Sequence, residues 1–208
     1  MQGLSGLFLG LILSFLGQLP LGTLSMTATQ IAVQENFDKA WKYSVGVALV
    51  EMVYLRFVLS GLQWMMEHRW VFIIFNWITV IFFFVLGVLS FITARKQDKT
   101  RKALLLNNNL DRFLLGLSMS AMNPAQIPFW MIWSDYFLNL GWLKPGFTSF
   151  NFFMLGTGFG TIAGLSVYMY GGNWLVTKMK TSNQTLNKIM GIIFILAAMI
   201  QIFRLLHT

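Results

Sequence analysis

The stretch Gly17-Gln-Leu-Pro20-Leu-Gly22-Thr-Leu-Ser25 lies inside a 34-residue run, Met1 to Gln34, without a charged side chain. An apolar run of this length signals a membrane span, since about 20 such residues cross a bilayer as a helix. Proline has no N–H, so Pro20 removes the helical partner of the Leu16 carbonyl in the middle of that run. At membrane depth an orphan backbone group costs several kcal/mol unless it is buried in protein or lines a wet cavity. The neighbours are polar: Gln18, Gly22, Thr23, Ser25 and Thr27 surround the break. A span broken around a polar pocket is the reading from which the rest follows.

The remainder of the 208 residues has the same character, with 56% hydrophobic and 11% charged residues against about 25% charged in soluble domains. Twenty Phe and eight Trp could not be hidden in so small a globule without leaving large apolar patches in water. This excludes a soluble enzyme or a disordered chain, and the absence of cysteine excludes a disulfide scaffold and thiolate chemistry. Six helical spans are predicted, at 4–31, 41–64, 70–94, 113–134, 147–172 and 185–206. The sixth is short between Lys188 and Arg204 and requires both basic ends to snorkel. The first lacks the basic leader and Ala-x-Ala site of a signal peptide and is expected to stay in the mature protein.

A net charge of +8 would suit nucleic acid, but the charges lie between apolar runs, which argues for membrane topology instead. Eleven of the fifteen Lys and Arg fall on one side of the six spans, six of them in the loop Arg95 to Arg112. The positive-inside rule makes that side cytoplasmic and places both termini outside. The loop reads as a topology determinant and solvated linker, or as a site for anionic lipid. Trp41, Tyr43, Trp64, Trp70, Trp133, Tyr136, Trp142 and Trp174 fall near predicted helix ends as interfacial anchors.

The linker 95–112 divides the chain into 1–94 and 113–208, each with three spans. Three is odd, so equivalent halves would insert in opposite orientations. Pro124 lies in the first span of the second half as Pro20 does in the first, with Ser118, Ser120, Asn123 and Gln126 around it. Pro124 and Pro128 deprive the Ser120 and Pro124 carbonyls of helical partners. Gly46-Val-Ala-Leu-Val-Glu51 aligns with Gly156-Thr-Gly-Phe-Gly-Thr161. The expected fold is therefore an all-α membrane protein of six transmembrane helices, arranged as two inverted three-helix repeats with a proline-broken first helix in each half.

Glu51 lies roughly 15 Å along the second span from Trp41, close to the midplane, where a carboxylate costs on the order of 3 kcal/mol. Protonation would remove most of that cost, so Glu51 reads as a proton carrier or as the ligand of a cationic group. An ion pair with Arg56 is poorly placed five residues along a helix, whereas Tyr54 stands at i+3 as a hydrogen-bond donor. His68 and His207 have neither metal-ligand nor triad spacing, so no catalytic residue, metal site or cofactor is expected. Gly156-Thr-Gly-Phe-Gly reads as helix packing, not a phosphate cradle.

Phe15-Leu-Gly-Gln-Leu-Pro20-Leu-Gly22-Thr-Leu-Ser25, then Ala40-Trp-Lys-Tyr-Ser-Val-Gly46-Val-Ala-Leu-Val-Glu51, resembles the opening of the LysE/RhtB family of amino-acid exporters. The Asn123-Pro124 pair after Gly116 resembles that family's fourth-helix motif, while Leu21 and Ser25 depart from its usual residues. The resemblance implies a bacterial inner-membrane secondary transporter, not an enzyme, that exports an amino acid or similar small solute on an ion gradient. Its implied substrate and ion site comprises Pro20, Gly22, Ser25, Glu51, Tyr54, Asn123, Pro124 and Gln126. Implied partners are the solute, the coupling ion, membrane lipid and a second copy of the chain, with no nucleic acid. Metal or cation efflux, and a non-transporting membrane scaffold, stand as alternatives. The first predicts more intramembrane acids than Glu51 alone, and the second gives no reason for paired breaks beside a buried acid.

Overall fold

The computed structural model describes residues 2–19, 22–95, 110–123, 125–178, 188, 191–192, 194–196 and 198–203. All regular structure among them is helical: α1 (Gln2–Gln18), α2 (Thr23–Gln34), α3 (Phe37–Glu67), α4 (Arg69–Arg95), α5 (Arg112–Ala121), α6 (Gln126–Asn139) and α7 (Phe147–Lys178). A shorter apolar helix, α8 (Phe194–Phe203), follows. Pro20, Leu21, Pro124 and most of the 95–112 linker lie outside the described residues.

Two of these helices are long and apolar enough to cross a membrane, over Phe37–Leu62 and Phe147–Gly171. A third candidate is the pair Gly3–Gln18 and Thr23–Gln34, bent by 79° where the Pro20 stretch interrupts it. Exposed apolar side chains such as Phe8 and Ile12 on α1 and Ile78, Ile81 and Phe84 on α4 suit contact with lipid. The protein is thus an all-helical membrane protein. One boundary differs in a way that matters: Asp135, expected to end the fourth span, is buried inside α6, which continues to Asn139. Tyr43 differs too, for it is fully buried in the core and not an interfacial anchor. Its hydroxyl donates to the Leu24 carbonyl at 3.3 Å, so the ring's wet edge is supplied by protein.

Glycines set the closest helix contacts. A Cβ on Gly10 would lie 2.1 Å from the Phe153 carbonyl oxygen, and one on Gly156 2.0 Å from that of Leu7, so α1 and α7 cross backbone to backbone. In the same way a Cβ on Gly46 would meet the Phe113 oxygen at 2.4 Å and one on Gly116 the Tyr43 oxygen at 2.2 Å, joining α3 to α5. Small residues of this kind let helices associate by van der Waals packing where lipid offers no hydrophobic drive.

These crossings stack the interior in three layers. Leu13, Leu55, Leu59, Trp130, Phe137, Phe150 and Phe153 form one apolar cluster. Leu24, Ala28, Ile31, Tyr43, Val47, Leu115, Leu165 and Met169 form another. Both long helices run from one cluster to the other, and each carries polar side chains between them: Glu51 on α3, Thr157 and Thr161 on α7, all buried.

Candidate solute site

The polar layer centres on Glu51. Gln18 Nε2 donates to its Oε1 at 2.9 Å, and the Thr161 hydroxyl donates to its Oε2. The Ser14 hydroxyl lies 2.8 Å from that of Thr161, which in turn lies 2.9 Å from the Thr157 carbonyl. Each contributor comes from a different place in the sequence: Ser14 and Gln18 from the last turns of α1, Glu51 from α3, Thr161 from α7. The ring is one carboxyl held by an amide and hydroxyls. Arg56 points elsewhere, its guanidinium carbon 5.6 Å from the Phe147 ring centroid and 5.9 Å from that of Phe150. Such a stack over ring faces gives the cation a partner without a carboxylate.

Around the first break the backbone is satisfied locally. The Leu16 carbonyl, expected to be orphaned, accepts from the Leu19 N–H at 3.2 Å, because a helix end can tighten its last turn to i→i+3 bonding. The Ser25 hydroxyl reaches back to the Gln18 carbonyl at 3.4 Å, and the Tyr168 hydroxyl of α7 donates to the Leu19 carbonyl. The second break repeats the device. The Ser120 carbonyl accepts from the Asn123 N–H at 3.0 Å, and the Tyr54 hydroxyl donates to the Ala121 carbonyl at 2.8 Å. This corrects the expectation for Tyr54: its i+3 position faces the broken backbone of another helix, not Glu51. Asn123 accepts from the Ala125 N–H at 3.2 Å, and Gln126 Nε2 donates to the Ser120 hydroxyl at 2.8 Å.

Of the helices that resume after the breaks, α2 begins without a side-chain cap, while at the start of α6 the Asn123 side chain takes the Ala125 N–H. Gly22, with extended backbone, precedes α2, and Ala125 precedes α6; neither supplies a cap hydrogen bond. By contrast, α5 starts normally, the Asp111 carboxylate accepting from the Phe113 N–H at 2.9 Å. A helix N-terminus offers backbone donors and the positive end of the helix dipole to an anion.

Of the eight residues singled out from the sequence, Glu51 stands at the centre of this layer. Gly22 and Ser25 line the first break, while Tyr54, Asn123 and Gln126 line the second. Pro20 and Pro124 are outside the described residues. Sequence reading missed Ser14, Thr161 as a partner of Glu51, and Asp135. Thr161 left a signal, since it occupies the Glu51 position in the alignment of the two halves; Ser14 left none.

At the end of the bundle where α2 stops and α5 starts, Arg112 grips Glu35 through Nε at 3.1 Å and Nη2 at 2.5 Å. Lys39 adds a contact at 3.1 Å. The Arg112 hydrogen bond, ahead of the smaller contribution of Lys39, holds the Glu35 carboxyl below its ordinary value of 4.5 against the opposing effect of burial. Arg112, counted from the sequence as part of a solvated loop, is buried here.

Helices broken at a buried polar layer, with apolar clusters on either side of it, define an all-helical membrane protein with a polar interior layer. The family of LysE type translocators matches residues 15–203, and the chain belongs to that family, whose members transport small solutes across membranes. No curated protein and no solved structure matches it.

Proposed function

We propose that the protein is a secondary transporter that exports an amino acid or similar small zwitterion across the bacterial inner membrane, driven by an ion gradient. The observation that carries this reading is Glu51: a buried carboxyl, held by Gln18 and Thr161, at the level where two helices break. In this reading Glu51 receives either the solute's ammonium or the exchanged proton, one replacing the other. The solute's carboxylate binds at the starts of α2 and α6, where the dipoles favour negative charge.

Cation efflux is the less favoured reading, because a bare divalent ion wants several oxygen anions together. The hydrogen-bonded groups around Glu51 are instead neutral hydroxyls and an amide, which suit one ammonium. Two features support an inverted repeat of six spans. The first helix of each half packs through glycine on the second long helix of the other half: α1 on α7 and α5 on α3. Tyrosines from those same long helices, Tyr168 and Tyr54, donate to the broken backbone of α1 and α5. Alternating access then rocks the halves about the Glu51 layer, opening one apolar cluster at a time. The basic linker is cytoplasmic in this arrangement, and both termini lie outside.

The test is reconstitution into liposomes with a panel of radiolabelled amino acids, comparing wild type with Glu51→Gln. Gradient-driven flux of at least one amino acid, lost in the variant, is the expected result. Undiminished flux in Glu51→Gln would remove Glu51 from the mechanism, and absence of solute movement under any gradient would favour a scaffold.

A further inference from the structure

α6 carries a row of buried polar groups that starts at the solute site with Gln126 and continues beyond it. Gln126, Trp130 and Ser134 succeed one another at i, i+4 and i+8, which places them on one ridge of the helix about 6 Å apart along its axis. All three are buried to better than nine-tenths, with relative exposures of 4%, 1% and 0%. Each has a polar atom without a protein partner: Gln126 Oε1, Trp130 Nε1 and Ser134 Oγ.

Buried polar atoms are nearly always hydrogen-bonded, and an orphan costs about 1–3 kcal/mol. Three in succession on one ridge of one helix are a pattern, not scatter. Ser134 sharpens it. Buried hydroxyls such as those of Ser44 and Thr157 turn back to the carbonyl four residues earlier, Ser44 to Ala40 at 2.9 Å and Thr157 to Phe153 at 3.1 Å. Ser134 forgoes that bond.

The row faces α3. Trp130 belongs to the same apolar cluster as Leu55, Leu59 and Leu62, and the i+4 spacing of Glu51, Leu55 and Leu59 puts the carboxyl on the stripe of α3 that this cluster uses. At the break, Gln126 Nε2 holds the Ser120 hydroxyl at 2.8 Å, and that hydroxyl reaches the Val47 carbonyl, one turn before Glu51, at 3.3 Å. At the other end, Ser134 stands about one and a half turns before the α6 terminus at Asn139. The row therefore leads from the polar layer toward the membrane face opposite Glu35 and Arg112.

The Trp130 ring packs edge-on against Phe129 and Phe153 at centroid distances of 5.1 and 6.2 Å, so the ridge runs among close-packed rings. Water is small enough to sit along it. The three orphan atoms match what a water file needs from its walls: an acceptor in Gln126 Oε1, a donor in Trp130 Nε1–H, and both in the Ser134 hydroxyl. A spacing of about 6 Å corresponds to roughly two water-to-water hydrogen bonds between anchors.

We propose that the Gln126–Trp130–Ser134 ridge of α6 anchors a single file of water that carries protons between the Glu51 pocket and the membrane face opposite the basic linker. The proton hops along O–H···O bonds; each water passes one on and receives one, and no bond to the protein breaks. The inference rests on the exporter reading and names its coupling ion as the proton, delivered by a path separate from the solute's.

Two measurements test it. In liposomes, Ser134→Ala removes the hydroxyl alone, and Trp130→Phe removes the donor together with part of the indole ring, so Ser134→Ala is the decisive variant of the two. Proton-driven solute flux, followed with a pH-sensitive dye inside the vesicles, should fall at least tenfold in each variant, while solute-for-solute exchange without a pH gradient stays at the wild-type rate. Unchanged proton-driven flux, or exchange lost in parallel with it, would overturn the water file. The second measurement needs no solute. The chain has no cysteine, so Ser134→Cys and Leu59→Cys can be compared for oxidation by hydrogen peroxide, which is little larger than water and is attacked by the thiolate to give sulfenate and water. Ser134→Cys should react at least ten times faster, and equal rates would refute the file. Wild-type protein that moves no solute while Ser134→Cys reacts fast would sink the exporter reading and leave the water file standing.

Discussion

Replacing Thr161 by Val tests the polar layer directly, because it exchanges a hydroxyl for a methyl group at nearly constant volume. A hydroxyl has one proton. If Thr161 gives it to Glu51, then Ser14, 2.8 Å away, must donate to Thr161, and the two bonds form one chain, Ser14 to Thr161 to Glu51. The valine methyl breaks both. A hydrogen bond to a charged group contributes about 1.5–3 kcal/mol and a neutral one about 0.5–1.5, so the loss is roughly 2–4 kcal/mol. For a chain of this size each kcal/mol moves the melting temperature by about 2–4 °C, which predicts a fall of roughly 4–15 °C. Thr161→Ser keeps the chain and loses one methyl, and should stay within about 4 °C of wild type. Both can be read from intrinsic tryptophan fluorescence during thermal unfolding in detergent. A valine variant as stable as wild type, or a serine variant that falls as far as valine, would refute the reasoning.

Gly116→Ala pushes a methyl group to 2.2 Å from the Tyr43 carbonyl oxygen, whereas Gly61, within α3, has nothing within 4 Å of an added Cβ. The first should destabilise by at least about 1–3 kcal/mol and the second stabilise slightly, a contrast visible in size-exclusion profiles and melting temperatures. Tyr54→Phe strips the Ala121 carbonyl of its donor and should cost about 1–2 kcal/mol, with a matching loss in Tyr168→Phe if the two breaks are satisfied by one device. Glu35 titrates below its ordinary value of 4.5, chiefly through its hydrogen bond with Arg112. Its contribution is therefore complete above the unfolded carboxyl range and is lost as pH falls through the lower folded value. The stability gap between wild type and Glu35→Gln should accordingly stay constant from pH 8 to about pH 5 and close only under more acid conditions, as a series of melting curves would record.

Composition and charge spacing were enough to read a helical membrane protein, since hydrophobic length and excluded charge are local properties of the chain. The two interruptions were equally legible, because proline acts on the backbone of its own helix whatever surrounds it. Glu51 was conspicuous because a carboxyl amid 24 residues of a predicted span is costly wherever that span packs. What the chain could not reveal was who meets whom. Thr161 and Ser14 join Glu51 only because α1 and α7 cross at Gly10 and Gly156. Tyr54 serves the backbone of α5 and not the acid three residues away because a phenol reaches beyond its own helix. Asp135 looked like the end of a helix and proved to be inside one, since a buried acid can be tolerated where a fold supplies its partners, as Asn139 does here at 2.9 Å. Periodicity tells which face of a helix is polar; only tertiary packing, which sums contacts over a hundred residues of separation, decides what that face touches.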